Sequence, residues 1–492
     1  MGIFRGSHRY QRNRLQDHRS QVTRGFVWCD RELAGLRHQE TLVNIQIEPM
    51  PPLLSRRAFL CGTAAQFSVP HVLRAETSRF DADVLIVGAG AAGLAAAREL
   101  QRLGKSFLLV EAKGRIGGRV FTDTSLGLPF DAGASYIHWA EKNPWAEIAR
   151  KFGVETVDDR SLIGIIKTYE KGRPTTEEER ARRRQAFETA SRVLDADPQN
   201  VPDVSFAERV ANDDLDVQAA AGSIARMTLG EEPERVSAQD YARLWTSTDL
   251  LVPSGYGTLV ARFGEGLDIS LRTPVRTIRW DGPGIEAETP KGTIRAEKAI
   301  ITTSVGVIAA GGIRFVPDLP QRMQAAIGGL GMGALAKIAL NFDGNRFGIP
   351  RGDLFEAEGA RQMFDFECWP FDRDLVIVWM GGDHSRQVAS QGEPGAIAIA
   401  LESFAKIAGE SVRKSFVAGR LAALSEDPFM RGSYSHALPG NAAARAILAE
   451  PLAERIYFCG EATGGADSGA AMTVGGAFLA GRDTARSLYQ KS

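Results

Sequence analysis

Cysteine is scarce in this chain. Only four occur in 492 residues, Cys29, Cys61, Cys368 and Cys459, and no two are spaced as Cys-x-x-Cys. That leaves no basis for a disulfide framework or a thiolate metal site. The seven histidines are scattered, with no His-Glu-x-x-His, and Gly-x-Ser-x-Gly is missing. Readings as a zinc hydrolase or a serine hydrolase therefore have no support. An excess of one charge is lacking too: 59 basic and 60 acidic residues leave a net charge of −1. Nucleic acid and anionic membrane surfaces are not expected as bulk partners. No apolar run is long enough to span a bilayer as a helix, so no integral membrane segment is expected. The chain is long enough for two domains with a well-buried core. Glycine is used freely, at 52 residues, and the motifs lie where glycine clusters.

The first 49 residues are Arg-rich and polar, without sustained periodicity, and read as a disordered leader or an artefact of start-site choice. Met50 follows, and then Ser55-Arg56-Arg57-Ala58-Phe59-Leu60 with a mildly apolar stretch to about residue 75. Paired arginines ahead of a modest apolar segment resemble a twin-arginine export signal over 50–76, implying a periplasmic destination; without export the protein would be cytoplasmic. The basic leader remains the alternative.

The strongest local pattern runs from Asp83 to Arg119. An apolar strand, 83–87, breaks into Gly88-Ala89-Gly90-Ala91-Ala92-Gly93; a small-residue helix (94–103) and a second strand (107–110) follow, ending on Glu111. This is a βαβ unit with an acid eighteen residues after the last glycine. Gly88 permits the tight turn, Gly90 lets the backbone approach a pyrophosphate, and Gly93 lets helix and strand close together. The helix N-terminus offers unpaired N–H groups to phosphate. Glu111, with Ala112 beside it, is placed to accept hydrogen bonds from a ribose diol. Further on, the pattern turns helical and charged between 141 and 250. Thr176 and Glu179 stand at capping-box spacing, and the arginines from 180 to 184 read as a solvated helix face. A meander is expected at 275–280, 285–289 and 293–297, then a buried strand at 299–303. Strands are expected at 336–342, 375–380 and 455–459, and a helix at 396–407. Lys337 interrupts an apolar strand, and spacing alone makes it a solvent-facing lysine. A nucleotide-type unit at each end, with other material between, implies a discontinuous domain.

Three further motifs carry a resemblance: Arg115-Ile116-Gly117-Gly118-Arg119, Phe130-Asp131-Ala132-Gly133-Ala134-Ser135-Tyr136-Ile137-His138, and Gly460-Glu461-Ala462-Thr463. Together with the Gly-rich unit they resemble the flavin-dependent amine oxidase family, over about residues 80–490. The resemblance implies an α/β fold: a discontinuous Rossmann-type FAD-binding domain (80–140, 255–311, 426–490) and an α+β substrate domain (141–254, 312–425). It implies FAD rather than NAD. Gly88, Gly90, Ala91, Ala92, Gly93, Glu111 and Ala112 would hold the ADP half, with Val275 against the adenine. Gly118, Arg119, Gly133, Ala134 and Ser135 would line the pyrophosphate and flavin, as would Gly460, Glu461, Thr473 and Val474. In the family a lysine in the strand of Lys337 holds a water at flavin N5, so Lys337 becomes the catalytic candidate. His138 is a second one, with a plain loop histidine as its alternative. Tyr136, Tyr434 and Trp369 are assigned to the substrate pocket, although Tyr434 reads equally well as core. The family's flavin-attaching cysteine has no counterpart at Gly432-Ser433, and Cys459 reads as core, so the flavin is expected to be noncovalent. The implied reaction takes a primary or secondary amine, a polyamine among the candidates, to an imine. Dioxygen would be reduced to hydrogen peroxide, and the imine would hydrolyse. An L-amino acid oxidase and a non-catalytic flavin protein are the alternatives. No residue identifies itself as a metal ligand, and the oligomeric state, homodimer included, is open.

Overall fold

The computed structural model describes residues 80–162, 164–359, 362–464 and 469–490. The leader, the twin-arginine motif, Cys29 and Cys61 lie outside the described residues. The first sheet is built on β1 (Ala82–Val87), in which only Asp83 is not buried. The chain leaves β1 through the glycine turn into α1 (Ala91–Arg102) and returns as β2 (Phe107–Val110), parallel to β1 from Val84↔Phe107 to Val87↔Val110. On the other side of β1 lies β3 (Gly292–Ile301), parallel from Ala82↔Ala296 to Val87↔Ile301. The late strand Ile456–Phe458 then pairs in parallel with the end of β3. The first half of β3 pairs antiparallel with Ile285–Thr289, which continues to Thr277–Arg279 and Arg314–Val316 in an eight-stranded sheet.

Two sequence expectations change here. Segments 293–297 and 299–303 form the single strand β3 to residue 301, because it exchanges antiparallel for parallel neighbours at Ala296 without leaving the sheet. Val275 precedes its strand, which begins at Thr277, and is buried in the same core as Val87 and Val110 at the ends of β1 and β2.

The second sheet has seven strands. Second and third in its order are β4 (Leu335–Phe342) and β5 (Leu375–Gly381), antiparallel, with Lys337 opposite Trp379. Strand alternation gives β4 two faces. Ala336, Ile338, Leu340 and Phe342 join a core with Phe366, Trp369 and Phe404, beneath the helix Gly392–Ala408. Leu335 and Ala339 point the other way, with Phe130, Tyr136 and Trp379. The far edge includes Ile165–Glu170, a strand inside the stretch expected to be helical, parallel to Gly352–Gly359. The helix Glu177–Leu194 starts with the expected reciprocal box: Thr176 Oγ1 accepts from the Glu179 amide and Glu179 from the Thr176 amide. Arg180 and Arg184 both pair with Glu177 on its exposed face. The C-terminal α2 (Val474–Ser487) packs on α1, and Gly481 makes the crossing close, since a Cβ there would lie 2.0 Å from the Ala92 carbonyl oxygen. No helix among the described residues is long and apolar enough to cross a membrane.

Candidate cofactor cradle and amine site

The glycine turn shows why each glycine stands where it does. Gly88 has φ +105, and a Cβ on Gly93 would lie 1.9 Å from the Gly88 carbonyl oxygen. Gly90 differs: a Cβ there would meet only Gly117 O, at 4.0 Å. Packing within the protein therefore does not demand a glycine at 90, and the space above it is open. Gly90 is also the N-cap of α1 and supplies no side-chain bond, so the first-turn amides keep their donors for an anion. An open cradle with free amides fits the pyrophosphate of a dinucleotide. Glu111 is buried below this turn. Its oxygens accept from the Ala89 and Lys113 amides, both at 2.8 Å, so it braces the turn and keeps further lone pairs for a ribose diol.

A second group joins the two ends of the chain. Arg119 Nη1 donates to Glu461 Oε1 at 2.7 Å and to Ser433 O at 3.2 Å. Glu461 also accepts from the Ser435 hydroxyl (2.7 Å) and amide (3.1 Å). Arg445 donates to Ser435 Oγ and, through Nε and Nη2, to both oxygens of Asp240 at 2.8 and 2.9 Å. Burial alone would raise the Glu461 pKa, but the Arg119 and Arg445 guanidinium charges outweigh it and hold the carboxyl below its usual range. Arg445 and Asp240 had no signal in the sequence: they lie 205 residues apart, and nothing local marks either. Gly118 sits against Gly90, and Gly460 leads into Glu461. Thr473 caps α2 by accepting from the Gly476 amide, and Val474 O accepts from Trp145 Nε1.

The third group surrounds Lys337, which is 5% exposed. Its Nζ donates to Asp131 O (2.8 Å), Gly133 O (2.5 Å) and Ser135 Oγ (2.6 Å) and lies 4.0 Å from the Trp379 ring centroid. The solvent-facing position suggested by spacing alone is not found. Burial brings its pKa down to about 8, against the opposing pull of Asp131 and Glu367. The same loop is tied down from behind: the Ala134 amide donates to Arg119 O, and a Cβ on Gly133 would lie 1.9 Å from that oxygen. Tyr136 stacks with His138 (5.7 Å, 27°) and tilts against Trp379 (6.3 Å). An aromatic row thus runs from His138, whose side chain is 43% exposed, inward to the lysine. His138 Nδ1 lies 3.0 Å from Asp249 Oδ2. Burial would lower its pKa, but the Asp249 carboxylate outweighs this and raises it.

One pocket assignment stands elsewhere. Trp369 is on the opposite face of the sheet, against Phe342 and Phe347, with Nε1 bonded to Ile349 O. Trp379 takes its place beside Lys337, because register puts that residue opposite the lysine. Tyr434 lies between Ser433 and Ser435, half-buried, and its carbonyl accepts from the Gly333 amide.

A split dinucleotide cradle beside a buried lysine on an aromatic face defines a class of flavoprotein oxidoreductase. Residues 91–212 and 175–488 match the sequence profile described as flavin containing amine oxidoreductase, and the chain belongs to that family. It is 27% identical to human lysine-specific histone demethylase 2 over 435 residues, 81% of this chain and 52% of that protein. It is also 27% identical to polyamine oxidase 4 of Oryza sativa subsp. japonica over 430 residues, 81% of this chain and 86% of that protein. The chain thus spans about half the length of the demethylase it matches. In fold it is similar to wild-type putrescine oxidase bound to putrescine, with a TM-score of 0.68 and 21% identity, covering 83% of this chain and 98% of that one.

FAD is the cofactor, held noncovalently. Position 433 is a serine bonded to the Leu335 backbone, and the buried Cys459 thiol is pushed up to about 12.

Proposed function

We propose that this protein oxidises a primary or secondary amine to an imine, a polyamine being the preferred substrate, with dioxygen as acceptor. FAD, which the Gly88–Gly93 turn, Glu111, Arg119 and Glu461 would hold, would supply the two-electron chemistry between the amine and dioxygen, the products being hydrogen peroxide and an imine that hydrolyses. The observation that carries the reading is Lys337, buried on Trp379 and held to the Gly133 carbonyl and the Ser135 hydroxyl in a chain of this family. The aromatic row of His138, Tyr136 and Trp379 supplies faces that attract an alkylammonium and shed water from it. Relatives named for polyamines, and a structural neighbour bound to putrescine, support the substrate class. The two sheets support the proposed division into a discontinuous FAD-binding domain and a substrate domain, since the first takes strands from both ends of the chain.

Anaerobic addition of spermidine, tyramine and leucine, separately, to the FAD-loaded protein tests the proposal. Spermidine is expected to bleach the flavin. Bleaching by leucine alone would move the assignment to an L-amino acid oxidase, and bleaching by none would end the oxidase reading. Lys337→Met is expected to keep its flavin and to slow flavin reduction or reoxidation about tenfold or more. We also propose export by the twin-arginine route, which N-terminal sequencing of periplasmic material would check; a full-length cytoplasmic product would refute it.

A further inference from the structure

The three oxygens around Lys337 are not equivalent. Asp131 O and Gly133 O are carbonyls and can only accept, whereas Ser135 Oγ can accept or donate. As an ammonium, Nζ donates to all three. As a neutral amine it keeps two protons for the carbonyls, and its lone pair meets the Ser135 hydroxyl proton. The cage satisfies both charge states, and the only change between them is the direction of one hydrogen bond. Ser135 is half-buried while Lys337 is buried, so the hydroxyl is the member of the pair nearer to open space.

We propose that Ser135 is a proton-relay residue: its hydroxyl takes the proton of an incoming alkylammonium and passes its own to neutral Lys337. This rests on the amine-oxidation reading. In the step, one N–H bond of the substrate breaks and an Oγ–H bond forms. The former Oγ–H proton bonds to Nζ, so an alkylammonium and a neutral lysine become a neutral amine and a lysine ammonium. No electrons change hands, and the substrate nitrogen keeps the lone pair that oxidation at its α-carbon requires. The groups facing Nζ from the surrounding elements are the Asp131 and Glu367 carboxylates and the Trp379 ring, all favouring the cation, with burial opposing them. Arg373 in turn faces Asp131. Their balance leaves the lysine at about 8, where it can exchange a proton with an alkylammonium near neutral pH.

The test uses the full FAD-loaded chain with putrescine and spermidine as probes, under anaerobic conditions from about pH 6 to 10. Wild type, Ser135→Ala and Ser135→Thr are compared. Alongside, the Lys337 titration is followed by NMR of lysine labelled with carbon-13 at Cε, assigned with Lys337→Met. Ser135→Ala is expected to slow flavin reduction about tenfold or more. It should also move the Lys337 titration to lower pH, because the ammonium loses a charge-assisted acceptor. Ser135→Thr should restore both. A wild-type rate and pH profile in Ser135→Ala would overturn the relay, as would equal losses in both variants with the lysine titration unmoved. If neither amine bleaches wild type, the amine reading fails by itself. The NMR titration of Ser135→Ala then still decides whether Ser135 and Lys337 act as a pair, and an unmoved titration refutes it.

Discussion

His436 is hidden from solvent, and acid works against the fold through it. Its ring is 2% exposed and packs on Gly331, and burial brings its pKa down to about 4 despite the nearby Glu231 and Asp240 carboxylates. The unfolded chain takes up this proton as pH falls through about 6.5, while the folded chain resists until about 4. Stability is therefore lost as pH falls through that window, by about 3 kcal/mol in full. Urea midpoints between these pH values should fall less steeply in His436→Gln than in wild type. His138 behaves in the opposite way, since the Asp249 carboxylate raises its pKa. The ion pair is fully formed below about pH 6.5 and lost as pH rises through the folded value. An NMR titration of Asp249→Asn should show His138 releasing its proton at lower pH than in wild type; an unchanged titration would mean the pair is not formed in solution. Legibility at this scale depended on register. A lysine breaking an apolar strand is visible in the sequence, but whether Trp369 or Trp379 shares its face is decided by cross-strand pairing.

Among the elements, α1 and its flanking strands were legible because glycine spacing and burial act within a few residues. Even so, α1 starts at Ala91, as the alanines after Gly90 are already helical. The strand Ile165–Glu170 was not legible: none of its residues is fully buried, and it is recruited as a partner for Gly352–Gly359 by tertiary contact. The crossing of α1 and α2 yields a direct expectation. Gly481→Ala forces a methyl group against the Ala92 carbonyl, and overpacking of this kind costs about 1–3 kcal/mol. Because Ala92 lies in the first turn of α1, FAD retention on desalting should fall together with the denaturation midpoint. A lower midpoint with unchanged retention would mean that α1 keeps its phosphate-facing geometry.

Across the whole molecule, the Arg119–Glu461 pair spans 342 residues. Its two motifs could be recognised in the sequence, but not the Arg445–Asp240 pair behind them, whose members carry no local pattern. Glu461→Ala would leave Arg119 and Arg445 short of an anion, and breaking a buried pair from one side costs about 3–5 kcal/mol. The thermal midpoint should drop in FAD-stripped protein as well as in the loaded form. A drop confined to the loaded form would make Glu461 a cofactor contact without a structural role. The late strand Ile456–Phe458 has a consequence for biosynthesis, since it completes a sheet whose first strand was made more than 350 residues earlier. A nascent chain emerging from the ribosome must hold β3 without this neighbour, and α1 without α2, until those later residues have been made. Such long-range closure is slow and leaves strand edges uncovered. The flavin cradle is therefore complete only once residues 456–487 have left the ribosome, and the growing polypeptide depends on whatever shields it in the meantime.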